Sequence, residues 1–335
     1  MRTKAARFLS RSAVISLMLC ITLTVSVYVW HDNVMNVAGP HKDNVMVVIA
    51  PGSGHNTLRN VLNRAGVLHQ IHHYDVARIL AGKSFSPKAG EFLLPARANL
   101  NEILSIIHRG DSHQRRLTIV EGLRSADVLK LITAMPNLTG SVKSIPDEGS
   151  LWPETYFYVH ATPRQALIKR MQESQEIALA EAWIRRAKDL PYENPYQALI
   201  MASIIEKEAS AVEDRRFVSA VLVNRLKKGM RLQSDPTVLY EASESPTKPP
   251  KITKTDLKTK TPWNTYVING LPKTPICNPG QESIMAALHP AKSDYLYFVS
   301  DGMGGLRFAK TLDAHNHNVR EFRRFRAAAE EGRGK

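Results

Sequence analysis

Cysteine is nearly absent from this 335-residue chain, which holds only Cys20 and Cys277. Cys20 falls inside an apolar run and Cys277 far beyond it, so no intrachain disulfide can form within the region after that run. Cysteine-type metal sites are excluded by the same count. Acidic residues are also short: 31 Asp and Glu face 45 Lys and Arg, for a net charge of +14. Such a balance often marks a nucleic-acid binder. Here part of the excess sits in the N-terminal tail and part between Arg320 and Lys335, and some of the rest can simply solubilise helix faces. Twelve histidines are present, but His69-Gln-Ile-His-His73 and His315-Asn-His317 lack the His-Glu-x-x-His spacing of a zinc hydrolase. They read as solvated surface histidines. No internal repeat is found.

Charge is missing altogether from Ala13 to Trp30. Eighteen residues in a helix reach ~27 Å, enough for the hydrocarbon core of a bilayer. The run is longer than the h-region of a signal peptide, and no small-x-small cleavage site follows it. Tyr28 and Trp30 suit an interfacial aromatic belt, and Arg2, Lys4, Arg7 and Arg11 on the near side predict a cytoplasmic N-terminus. The expectation is a single-pass anchor at 13–30 with a tail at 1–12, its remainder exported across a bacterial inner membrane. Export argues against nucleic acid and favours anionic headgroups or an acidic wall polymer as the partner of the basic surface.

Beyond a polar linker at 31–43, Val45–Ala50 reads as a buried strand and Thr57 caps a helix ending near Gly66. A helix over His73–Leu80, a strand over Gly90–Pro95, a helix capped by Asn99 and closed by Gly110, and a strand over Gln114–Val120 complete a β-α-α-β unit, residues 44–115. The part after it is more helical. Thr162 and Pro163 open a helix reaching about Lys188, Asn194-Pro195 opens another through Glu206, and a third runs from Asp214 to Lys228. Gln233–Asn278 reads as loops and short strands. A helix over Glu282–Leu288, a hairpin turning at Gly302-Met-Gly-Gly305 and a helix over 313–330 follow. The fold class is α+β: an N-terminal transmembrane helix, a small unit at 44–115, a helix-rich domain at 116–325 and a basic tail at 326–335.

One helical carboxylate stands out. Ala202, Ser203, Ala209 and Ser210 lie three and four positions from Glu206 and leave it on a shallow, uncharged floor where its pKa can rise. Glu208 has Ile204, Ile205, Ala211 and Val212 at those spacings and reads as structural.

Eight ordered blocks carry a family resemblance. They are Glu148-Gly-Ser-Leu-Trp-Pro-Glu-Thr-Tyr156, Ala202-Ser-Ile-Ile-Glu-Lys-Glu208, Arg231-Leu-Gln-Ser-Asp-Pro-Thr237, Asn264-Thr-Tyr266, Gly270-Leu-Pro272, Ile276-Cys-Asn-Pro-Gly280, Ala286-Ala-Leu-His-Pro290 and Tyr295–Gly302. In order and spacing they resemble the YceG-like endolytic murein transglycosylase family over residues 120–318, and the preceding unit resembles the family's LysM-like subdomain. The pair Leu151-Trp152 departs mildly from other members.

The resemblance implies an inner-membrane enzyme with a periplasmic catalytic domain. It would cut peptidoglycan strands internally between N-acetylmuramic acid and N-acetylglucosamine and leave 1,6-anhydro-muramic ends, terminating nascent strands. It implies no metal or organic cofactor, glycan strands as substrate, and coupling to glycan polymerases or penicillin-binding proteins by analogy alone. The family's catalytic glutamate maps onto Glu206. One carboxylate suffices, because the substrate's own C6 hydroxyl replaces the second group of an ordinary glycosidase.

Gln233, Ser234, Asp235, Asn264 and Tyr266 are the expected sugar-binding groups, although Ser-Asp-Pro and Asn264 also suit plain turns. Glu154 reads as a second groove carboxylate or a buried structural acid, with the balance toward structural. The competing functions are a non-catalytic peptidoglycan-binding scaffold and a hydrolase or amidase.

Overall fold

The computed structural model describes residues 2–81, 85–242 and 252–333. The chain divides into two compact units, Met1–Arg115 with Val159–Ala161, and Arg116–Tyr158 with Thr162–Lys335.

In the first unit, α1 (Arg2–Met35) contains the apolar stretch Ile15–Met35, long and apolar enough to cross a membrane. It continues past Trp30 into the segment expected to be a linker. Val34 and Met35 are buried with Leu58, Phe92 and Ile103, so apolar burial carries the helix five residues further.

Strands β1 (Val45–Ile49) and β2 (Gly90–Leu94) pair antiparallel, with Val47 opposite Phe92. Their alternation puts Val47, Ile49, Phe92 and Leu94 inside and Met46, Val48 and Leu93 outside. Packed on the inner face are α2 (His55–Arg64), α3 (Ile71–Ala81) and α4 (Leu100–Arg109). The start of α2 lies at Gly54, before the expected Thr57 cap. At α4 the Asn99 side chain accepts from the Glu102 N–H while Glu102 accepts from the Asn99 N–H, a reciprocal cap, and Gly110 closes the helix at φ 80°. The order β-α-α-β is as the sequence predicts.

Strand β3 (Arg115–Thr118), whose first residue closes the first unit, leads into the second and pairs with β5 (Thr155–Tyr158). Between them lie α5 (Ser125–Ala134) and β4 (Leu138–Thr139), and β4 runs parallel to β6 (Thr162–Pro163). One core gathers Leu117, Val128, Ile132, Leu151 and Tyr156 against Leu167 and Met171 of α6 (Arg164–Ile184).

A second core surrounds α7 (Pro195–Glu208), which packs with α8 (Val212–Lys227) and α10 (Gln281–Leu288). Every residue from Ala198 to Ile205 is buried, and all but Ser203 are apolar, so this stretch of α7 is enclosed on every side. Each leucine or isoleucine so buried contributes ~1.5–3 kcal/mol of transfer free energy. Asn194 accepts from the Gln197 N–H at the start of α7, and Pro195 occupies its first turn.

The segment expected to be loop and strand contains α9 (Asp235–Ala242) and a short 3-10 turn, Asp256–Lys258. A hairpin of β7 (Tyr297–Ser300) and β8 (Leu306–Ala309) then leads into α11 (Leu312–Arg333).

Candidate active site

Where α7 leaves the core its sequence becomes Glu206-Lys207-Glu208, and the two acids point to different places. Residues two apart on a helix are separated by ~200° around the axis.

Glu206 enters a buried ion pair. Its Oε1 lies 3.1 Å from Nη2 of Arg215, and its Oε2 accepts the Gly280 N–H at 3.0 Å. Glu121 Oε2 stands 3.6 Å from Nη1 of the same guanidinium. Burial, and then the Glu206 charge, push the Glu121 carboxyl above its ordinary value. A Cβ built at Gly280 would meet the carboxyl end of the Glu121 side chain, which would have to move. Both oxygens of Glu206 are therefore engaged by donors of the protein itself.

Glu208, the last residue of α7, reaches a cavity of about 380 Å³ lined also by Arg225, Gln233, Asp235, Tyr266, Tyr297 and His315. Ser234, buried behind the wall, donates its hydroxyl to Glu208 Oε1 at 2.6 Å. Burial dominates the titration of this acid and raises its pKa to about 7, with Asp235 pushing the same way and Ser234 and Arg225 opposing.

Arg225 lines the cavity. It donates to the carbonyls of Leu232 at 2.8 Å and Leu296 at 2.7 Å and to Gln233 Oε1 at 3.4 Å, with its guanidinium 5.2 Å from the Tyr297 ring. Gln233 has φ 52°, a left-handed backbone uncommon outside glycine, and its N–H is held by the Thr265 carbonyl. Tyr266 donates to Asp235 Oδ1, and burial followed by that bond raises the phenol's pKa. His315 stacks on Tyr297 at 5.2 Å, and burial, then Arg225, lower its pKa.

Of the residues expected to bind sugar, Gln233, Asp235 and Tyr266 line this cavity and Ser234 supports its acid. Asn264 does not line it. That residue is 1% exposed and donates to the Asp256 and Thr259 carbonyls while accepting the Tyr266 N–H, so it ties the loop that carries Tyr266. Glu154 is exposed at the edge of β5 and is absent from the lining.

Arg225 and Tyr297 carry no site signal in the sequence, and Glu208, which reads there as structural, lines this cavity. His315 reads there as a surface histidine, and in the structure it lines the cavity. Only the alternation of Glu206 and Glu208 around α7 could have signalled that one of them faces this way. Among the described residues no three His, Cys, Asp or Glu side chains gather as a metal cluster.

Residues 47–321 match the YceG-like family. The chain belongs to that family. The matched region of this YceG-like chain includes every residue that lines the cavity. It is similar to the endolytic murein transglycosylase of Bacillus subtilis (strain 168), 41% identical over 175 residues, covering 51% of this chain and 46% of that protein. It is also similar to the endolytic murein transglycosylase of Streptococcus pneumoniae (serotype 2, strain D39), 31% identical over 178 residues, 52% of this chain and 32% of that protein. The match thus spans less than half the length of these curated relatives. A 2.6 Å crystal structure of a yceG-like protein from Listeria monocytogenes is 31% identical, covers 82% of this chain and 99% of that one, and superposes with a TM-score of 0.51.

Proposed function

We propose that this YceG-like protein is a peptidoglycan lytic transglycosylase whose acid and base is Glu208. The sequence alone placed that role on Glu206; the geometry favours the other glutamate of the same motif. The observation that carries the reading is a carboxyl with a pKa near 7, opening on a cavity and held by Ser234. Such a group is substantially protonated at neutral pH, as a general acid must be.

The chemistry needs one carboxyl. Protonated Glu208 gives its proton to the oxygen linking C1 of muramic acid to C4 of glucosamine, and that bond breaks as positive charge develops at C1. The resulting Glu208 carboxylate then takes the proton of the C6 hydroxyl of the same muramic acid. The C6 oxygen closes on C1, giving the 1,6-anhydro ring and restoring the acid. No water is consumed.

Gln233, Asp235 and Tyr266 supply the polar groups for N-acetyl and hydroxyl recognition. Arg225 and Ser234 stabilise the carboxylate formed after the first proton transfer. Glu206, with Arg215 and Glu121, braces the end of α7.

The remaining elements of the proposal are a single-pass anchor in α1 with its basic end cytoplasmic, a periplasmic catalytic unit, a LysM-like first unit that grips glycan, and a role in ending nascent strands beside the glycan polymerases. The apolar stretch of α1 supports the anchor, and the names of the relatives support murein as the substrate.

The test is mass spectrometry of products from purified glycan strands. Anhydro ends from the wild type and from Glu206→Gln, with none from Glu208→Gln, are expected. Loss of product in Glu206→Gln with full activity in Glu208→Gln would overturn the assignment. Binding without cleavage by the wild type would favour a scaffold instead.

A further inference from the structure

A second cavity, about 540 Å³, lies on the other flank of α7 and α8, lined among others by Glu193, Tyr196, Gln197, Leu226, Leu271 and Lys273. It adjoins the first. Consecutive residues of α8, Arg225 and Leu226, line one cavity each, and so do Tyr266 and the Gly270–Lys273 stretch of a single loop. Arg231 braces that loop, donating to the Tyr266 carbonyl at 3.0 Å and to Asn269 Oδ1 at 3.4 Å, and the Lys273 N–H is held by the Pro262 carbonyl.

The charges of this cavity are unusual. Glu193 and Lys273 line the same space with opposite sign, yet neither takes part in an ion pair with the other or with any described residue. Tyr196, half-exposed, lines the same cavity with Leu271 and Ile200, and the side-chain oxygens of Asn194 and Gln197 accept backbone N–H groups while their amide NH2 groups are left for other partners. An acid, a base, an aromatic face and amide donors with no internal partners match a ligand that is itself extended, amide-rich and zwitterionic.

Resting on the murein reading of the first cavity, we infer that this second cavity binds the peptide stem borne by the muramic acid. Glu193 takes the side-chain amine of the stem's diamino acid and Lys273 a stem carboxylate. The reach is adequate: Glu208 to Gln197 is at most ~17 Å along α7, and five extended residues span up to about 17 Å. The substrate is then read twice, its sugar at Glu208 and its peptide here.

The experiment compares cleavage of peptide-bearing strands with cleavage of the same strands stripped of stems by an amidase, using the full chain in detergent. Glu193→Ala, Lys273→Ala and Tyr196→Ala are each expected to raise KM for peptide-bearing strands about tenfold, the scale of one lost charge-assisted contact. Their kcat, and all constants on stripped strands, should stay at the wild-type value. Equal effects on both substrates, or no effect on either, would overturn the inference.

A wild type that cleaves neither substrate would refute the catalytic reading separately. Calorimetry with a free stem peptide carrying one side-chain amine and a terminal carboxylate then decides this site alone. Binding that Lys273→Ala weakens supports it, and no binding ends it.

Discussion

Ser234 Oγ and Glu208 Oε1 are 2.6 Å apart, a hydrogen bond that ties the loop after α8 to the last residue of α7. It is short because its acceptor is a carboxyl withdrawn from water, and it favours the charged form of that carboxyl.

The first expectation follows from its removal. With Glu208 protonated below about 7, the rate of cleavage falls as pH rises through that value. Ser234→Ala removes a donor that favours the carboxylate, so the alkaline limb of the kcat/KM profile should move to higher pH. A limb that stays in place or moves down would separate this bond from the titration.

Asp235 acts in the opposite direction. Its charge opposes ionisation of Glu208, so Asp235→Asn should bring the alkaline limb down in pH. Because Tyr266 also loses the charged acceptor of its hydroxyl, KM should rise as well. The pH profile and KM of this variant, measured together, separate the electrostatic effect from the binding effect.

Burial of Glu208 makes a prediction about stability. The unfolded acid gives up its proton near its ordinary value of 4.5, the folded one near about 7, so between those limits the folded state holds the extra proton. Stability therefore falls as pH rises through this window and levels off above it. Glu208→Gln, which stays neutral, should be little changed at pH 4 and more stable than the wild type at pH 8 by ~1–3 kcal/mol. Thermal unfolding at the two pH values gives the comparison.

The other glutamate should behave in reverse. Glu206→Ala leaves the buried Arg215 guanidinium with only the more distant Glu121. Removing one partner of a buried pair costs ~3–5 kcal/mol. A loss of stability of this size with anhydro product still forming is expected, read by denaturant unfolding beside the product assay.

Much of this fold was legible in the chain. Asn99, Asn194 and Gly110 mark helix ends because caps are local chemistry, satisfied within four residues of sequence. The uncharged run from Ala198 to Ile205, apolar but for Ser203, likewise announces an enclosed helix.

Less legible was α9, whose opening Asp235-Pro236 is equally a turn signal. The choice between Glu206 and Glu208 was harder still. Helical spacing describes neighbours on α7 alone, whereas the fate of each acid is decided by Arg215 and Gly280 on one side and Ser234 and Arg225 on the other. Those partners come from segments up to 74 residues away along the chain.

A helix has no joint, and α1 passes from its apolar stretch to the buried pair Val34 and Met35 without one. Whatever fixes the tilt and depth of that helix also fixes the first unit, as a mast fixes the platform bolted to it. Glycines inserted at 32 and 33 would turn the mast into a rope. They would free the rest of the first unit to swing about the apolar stretch, and neither insertion touches a residue that lines the Glu208 cavity.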